Sequence, residues 1–310
     1  MTTTISTTNL NQFYNKSIHV NIPDSPEDPT EFDLIYLVYN GKITTIADYV
    51  NNNKISIDKF SEIVNSSFDS KTNMSSIQLA SYLSFPNIFM YMLTYKADLY
   101  HLDIYERNFM HLVAYRGDVK ILQIVFNWLR FNNKMHSINQ IDAISVSHGF
   151  SRMDIVKGKL SKGVNKTETN LNRFKSLQIK LKDEALNLII RNLQAIDKLI
   201  SKQDVEGRNV LHYAAMSKYS LCYSVVFNLV DYEFFKLDGW EEFLQVHSDT
   251  QDLEVKPERL LDPRKCIRIE KVLENLLGEN IIKELKTEFH KGKCEIIKKA
   301  INTPDSQGDT

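Results

Sequence analysis

Apolar residues recur along this chain at intervals of three and four, in short runs separated by polar turns. Phe32, Leu34, Ile35, Leu37 and Val38 share one helical face, Asn40-Gly41 interrupts it, and Ile43, Ile46, Ala47 and Val50 form a second. The paired pattern returns with Phe85, Phe89, Tyr91 and Tyr95, where Pro86 suits the first turn of a helix. It returns again from Val119 to Leu129. Leu181, Ala185, Leu188 and Ile189 predict one helix, and Leu193, Ala195, Ile196, Leu199 and Ile200 the next. Leu221 to Val230 follows, then Ile267 to Leu277, Ile281 to Phe289, and a short helix from Cys294 to Ile301. Only Ile18-His-Val-Asn-Ile22 alternates as a strand would. The pattern predicts an all-α chain.

The turns between these helices carry a recurrent chemistry. Asp204-Val-Glu-Gly-Arg-Asn-Val-Leu-His-Tyr-Ala-Ala215 reads as a tight turn opening into a helix of small residues, with Gly207 supplying a positive φ. Asp103-Ile-Tyr-Glu-Arg-Asn-Phe-Met-His-Leu-Val-Ala114 repeats the skeleton, with Glu106 in place of the glycine. One step earlier, Ser75-Ser-Ile-Gln-Leu-Ala80 puts Gln78 33 residues before His111. The chain closes on Asp305-Ser-Gln-Gly-Asp-Thr310.

These residues resemble the opening of an ankyrin repeat, Thr-Pro-Leu-His-x-Ala, whose period is about 33 residues; Asn209 and Val210 stand in the Thr and Pro places. The resemblance implies an ankyrin-type helix-turn-helix solenoid of about six repeats plus a truncated one. Residues 1–30, rich in Thr, Ser and Asn and broken by Pro23, Pro26 and Pro29, read as a disordered or capping tail. The solenoid then occupies 31–310. Its repeats fall near 31–60, 61–102, 103–134, 172–203, 204–235 and 264–302, and 303–310 begin a truncated one. The period is broken by a basic insertion at 135–171 and an acidic one at 236–263. Asp103, Asp204 and Asp305 are spaced 101 and 101 residues apart, which suits either chance or a larger duplicated unit.

Composition narrows the function. A formal net charge of −1 lacks the basic excess of a general nucleic-acid binder. Three cysteines at wide spacing build no disulfide framework and suit a reducing, intracellular, cytoplasmic setting. No apolar run approaches the length of a membrane span.

No catalytic set can be argued from spacing, and the chain is not read as an enzyme. Gly158 and Gly163 are not followed by Lys-Ser/Thr, so a phosphate-binding loop is rejected. His290 and Cys294 are two potential zinc ligands where about four are needed, so no metal and no cofactor is expected. His111 and His212 occupy the place at which, in the family resembled, an imidazole ties down the turn; with Gly207 they are read as structural. Partners in that family bind the concave side. By register this points to Tyr105, Arg107, Tyr115, Glu206, Arg208 and Lys218, of which the aromatic and Arg side chains are the usual interface anchors. The expectation is a monomeric, non-catalytic protein-binding scaffold or adaptor. The alternative is a regulatory cytosolic segment of a larger channel or enzyme whose working domain lies past Thr310.

Overall fold

A computed structural model describes residues 33–126, 128–129, 168–217 and 277–310. These residues are helical, with no strand among them; Phe68 and Ser75 form one isolated antiparallel bridge. In chain order the helices are α1 (Leu34–Tyr39), α2 (Ile43–Asn52), α3 (Ile57–Ser66), α4 (Ser76–Tyr82), α5 (Pro86–Thr94), α6 (Phe109–Arg116), α7 (Glu168–Ile200), α8 (Val210–Met216) and α9 (Glu279–Ile301). Residues 119–126 are also helical.

The short helices α1, α4, α6 and α8 pack in a row, each on the next. Their buried faces explain why. Ile77, Leu79 and Ala80 of α4, Phe109, Met110, Val113 and Ala114 of α6, and Val210 and Ala214 of α8 are all sealed in one core. Small side chains at 80, 114 and 214 keep neighbouring axes close. Helices α2 and α5 follow α1 and α4 and pack on them. The aromatic stripe of α5 is core, as its spacing suggests: Tyr95 packs edge-on to Phe60 with ring centroids 4.7 Å apart, and Phe89 lies 5.5 Å from Phe109.

Three features differ from the sequence reading. Helix α3 crosses the boundary expected between the repeats at 31–60 and 61–102; Ser56 caps it, accepting from the Lys59 N–H at 3.2 Å. The two helices expected between 172 and 203 are one, α7, which starts inside the segment assigned to the first insertion. The stretch between the two apolar sets holds neither Gly nor Pro to break it, and Asn192 lies on the buried face with Leu188, Ile196 and Leu199. Likewise Ile281–Phe289 and Cys294–Ile301 belong to one helix, α9. Gly292 does not break α9, because it lies where the helix meets Leu193 of α7 and leaves room for that side chain. Helices α7 and α9 pack along each other. Each carries a polar residue on its buried face, Asn192 and Lys293, again 101 positions apart.

The 101-residue spacing recurs in the contacts between turns. The turns at 103, 204 and 305 lie against one another: the Val205 N–H donates to the Tyr105 carbonyl at 3.1 Å, and the Ser306 N–H to the Glu206 carbonyl at 2.9 Å. The turn before them joins the same ladder, the Ile104 N–H donating to the Thr72 carbonyl at 3.0 Å. In sequence the stretches from 103 and from 204 share Asp103/Asp204, Arg107/Arg208, Asn108/Asn209, His111/His212 and Ala114/Ala215, with Val-Phe-Asn at 125–127 and 226–228. The tail 1–30, the insertion 236–263 and most of 135–171 lie outside the described residues.

Candidate functional site

Each turn of the ladder is organised by one aspartate. Asp103 Oδ1 accepts the N–H groups of Tyr105 and Arg107, both at 2.9 Å; Asp204 does the same for Glu206 and Arg208, and Asp305 for Gln307 and Asp309. A short acceptor reaching its own downstream backbone stabilises such a turn without help from the rest of the fold. The fourth residue must then turn left-handed. Gly207 and Gly308 do so at φ +79° and +87°, and Glu106 is forced into the same region at +59°.

The second Asp oxygen takes the guanidinium that follows. Arg107 Nη2 lies 2.7 Å from Asp103 Oδ2, with both side chains buried, and Arg208 Nη2 lies 2.8 Å from Asp204 Oδ2. Burial pushes the Asp204 carboxyl up, but hydrogen bonds from the Tyr213 hydroxyl, the Arg208 N–H and its guanidinium outweigh it, leaving the group below its ordinary value. The Tyr213 phenol is raised in turn, by burial first and by Asp204 second.

Asn108 and Asn209 cap the helices that follow, each accepting from two backbone N–H groups. The histidine at the third helical position closes the box: the Asn108 N–H donates to His111 Nδ1 at 3.2 Å, and the Asn209 N–H to His212 Nδ1 at 3.1 Å. His111 Nε2 faces the Lys202 carbonyl at 3.0 Å, so the proton of the neutral ring sits on Nε2. Burial pushes this imidazole down to about 4. Gln78 serves Ser75 in the same way and donates to the Arg107 carbonyl at 2.8 Å. Histidine, glutamine and glycine thus act as turn chemistry here.

The residues singled out by register have unequal fates. Arg107 is buried, its guanidinium held by Asp103 and stacked 4.5 Å over the Tyr105 ring. Arg208 is held by Asp204, and its Nη1 by Glu206 at 2.8 Å. Both arginines therefore support turns and do not reach outward as contact anchors. The physical reason is the aspartate four residues earlier, whose second oxygen is otherwise a buried, uncompensated charge. Tyr105, Glu206 and Tyr115 are half-buried, and Lys218 lies outside the described residues.

Tyr115 belongs to a set that register in the sequence did not expose. Tyr39 and Tyr82 end α1 and α4, Tyr115 is the last residue but one of α6, and each stands two places before a left-handed residue: Gly41 at φ +66°, Ser84 at +62° and Gly117 at +84°. Equal offsets from the same backbone device put the three rings at the same position on three adjacent helices. All three are half-buried, and Met216 holds the corresponding place on α8. Burial raises the Tyr82 phenol, Arg116 opposes that shift, and the hydroxyls of Tyr115 and Tyr39 are close enough to add to it. The Arg116 guanidinium sits 5.7 Å over the Tyr82 ring. Tyrosines two before Gly41 and Gly117 are visible in the sequence, but a serine at positive φ is not, and this hid the middle member.

Elsewhere, Cys294 Sγ lies 3.6 Å from His290 Nε2, and among the described residues no third His, Cys, Asp or Glu is placed with them to hold a metal. No described helix is long and apolar enough to cross a membrane. Compared with known proteins, the chain matches no protein-family model and no curated sequence.

Proposed function

We propose that the chain is a non-catalytic protein-binding module, an ankyrin-type scaffold that works from an intracellular, cytoplasmic setting. The resemblance in the turns and the row packing of α1, α4, α6 and α8 support an ankyrin-type stack. An exposed free thiol at Cys294 suits a reducing compartment. The observation that carries the binding reading is the row Tyr39, Tyr82, Tyr115 and Met216. The buried polar side chains of the turns are consumed in holding backbone, whereas these residues keep part of their area open. Tyrosine presents a large, stiff, amphipathic surface and loses little side-chain entropy when covered, which makes it a common interface anchor.

The test compares wild type with Tyr82→Ser/Tyr115→Ser in affinity capture from a lysate, after matched thermal melts. Specific partners should be recovered by the wild type and lost by the variant. Equal recovery of every partner by both proteins would overturn the reading.

A further inference from the structure

We propose that the tyrosine row, with Arg116, Lys42 and Lys120 at its edge, docks an acidic peptide segment of a partner protein. This rests on the reading of the chain as a protein-binding module and adds the chemistry of what is bound.

The charges at this end of the helix pairs carry the inference. Arg116 immediately follows Tyr115, is exposed, and forms no ion pair among the described residues. Lys42 follows Gly41 in the first pair and Lys120 opens the helical run 119–126 in the third; both are exposed, and neither has an ion pair among the described residues. Asp118 is the carboxylate closest to Arg116 and Lys120 in sequence, and both of its oxygens are engaged. Oδ2 accepts from the Ser84 hydroxyl at 2.7 Å and Oδ1 from the Ile121 N–H at 3.1 Å. That acid is thus spent on pinning one pair to the next and on capping a helix, while the three cations stay exposed, Arg116 lying over the Tyr82 ring. The contrast with the turn edge is clear. There Lys202 is paired with Glu106, and Arg208 with Glu206 and Asp204.

Half-open phenol rings, with Arg116 over one of them and the exposed Lys42 and Lys120 three and five residues after Tyr39 and Tyr115, suit a strand that alternates carboxylates with apolar side chains. The apolar groups would cover the rings, and the carboxylates would meet Arg116, Lys42 and Lys120. Exposed cations of this kind steer association and select partner charge more than they add affinity, so the interaction should weaken as salt screens it.

The test uses the full chain and a fluorescein-labelled peptide of alternating glutamate and leucine, read by anisotropy. A lysine–leucine peptide, a single-stranded oligonucleotide and phosphatidylserine vesicles serve as competing ligands. The glutamate peptide should bind best, and Arg116→Gln should weaken it about tenfold, the size of a contact that matters at an interface. Arg116→Glu/Lys120→Glu should reverse the preference towards the lysine peptide. These residues are exposed, so the variants should melt as the wild type does. Equal binding of both peptides, tighter binding of the oligonucleotide or vesicles, or indifference to Arg116→Gln would overturn the proposal. If the glutamate peptide fails while capture of partners still depends on Tyr82 and Tyr115, the acidic partner is wrong and the binding module stands. If both fail, both are wrong.

Discussion

The side-chain amide of Asn108 donates to the carbonyl of Leu199 at 3.0 Å across 91 residues of chain, and Asn209 repeats the bond to Ala300 at 2.7 Å across the same separation. One cap residue therefore does two jobs. Its oxygen starts a short helix, and its amide holds the end of the long helix that leads into the next turn. The equal separations make the turn at 103 with the end of α7, and the turn at 204 with the end of α9, equivalent pieces of the fold.

His111 gives the stack a pH dependence whose sign can be worked out. Its folded value of about 4 lies below the ordinary value near 6.5, so the unfolded chain takes up the proton first. This contribution to stability is complete above 6.5 and is lost as pH falls towards 4, by roughly 3 kcal/mol at most. His111→Gln should keep the cap, because Gln78 already performs that role one turn earlier. Urea midpoints measured from pH 7 to pH 4 should fall for the wild type and stay flatter for the variant. Parallel curves would show that His111 is not the group responsible.

The two Asp–Arg pairs should differ in what they cost to break. Arg107→Ala strands the Asp103 carboxylate in a buried site and should destabilise by about 3–5 kcal/mol. Arg208 is partly solvated, its side chain 14% exposed, and Asp204 keeps the Tyr213 hydroxyl at 2.7 Å. Arg208→Ala should therefore cost less. Chemical denaturation of the two single variants tests the order, and a larger loss for Arg208→Ala would contradict it.

The left-handed position in the turns offers a matched pair of substitutions. Glu106→Gly removes a strained φ worth about 1–2 kcal/mol, at the expense of a flexible glycine and of the exposed ion pair with Lys202. Its melting temperature should equal or exceed that of the wild type. Gly207→Ala does the opposite: at φ +79° its added Cβ would lie 2.9 Å from the Ser306 nitrogen, in the backbone of the next turn. It should lower the midpoint clearly, and an unchanged melt would argue against the stacking of turns 204 and 305.

Gly292 tests the contact between the long helices. A Cβ there would run into the Leu193 side chain, so Gly292→Ala should cost about 1–3 kcal/mol despite the better helix propensity of alanine. Adding Leu193→Ala opens the space. The double variant should then be more stable than the two single effects summed, and strict additivity in a denaturation cycle would deny the contact.

Helical class, the starts of the short helices and the turn residues were legible in the sequence because they are local. An apolar period of 3.6, an asparagine or serine before a helix, and an aspartate followed by its own turn all act within a few residues. The course of α7 and α9 was not legible, since an apolar period alone does not show whether two successive helical runs join, and what Gly292 meets on α7 depends on the fold. Nor was the commitment of Arg107 and Arg208, because the same residue type serves as turn clamp or outward anchor according to whether a carboxylate is buried beside it. What the sequence by itself determined is the set of local pieces and their 101-residue recurrence. What only the tertiary structure decided is which pieces touch: the hydrogen bonds from Asn108 to Leu199 and from Val205 to Tyr105, and the row of Tyr39, Tyr82 and Tyr115. Those relationships join residues far apart in the chain, and their energy exists only once the intervening segments have brought the surfaces together.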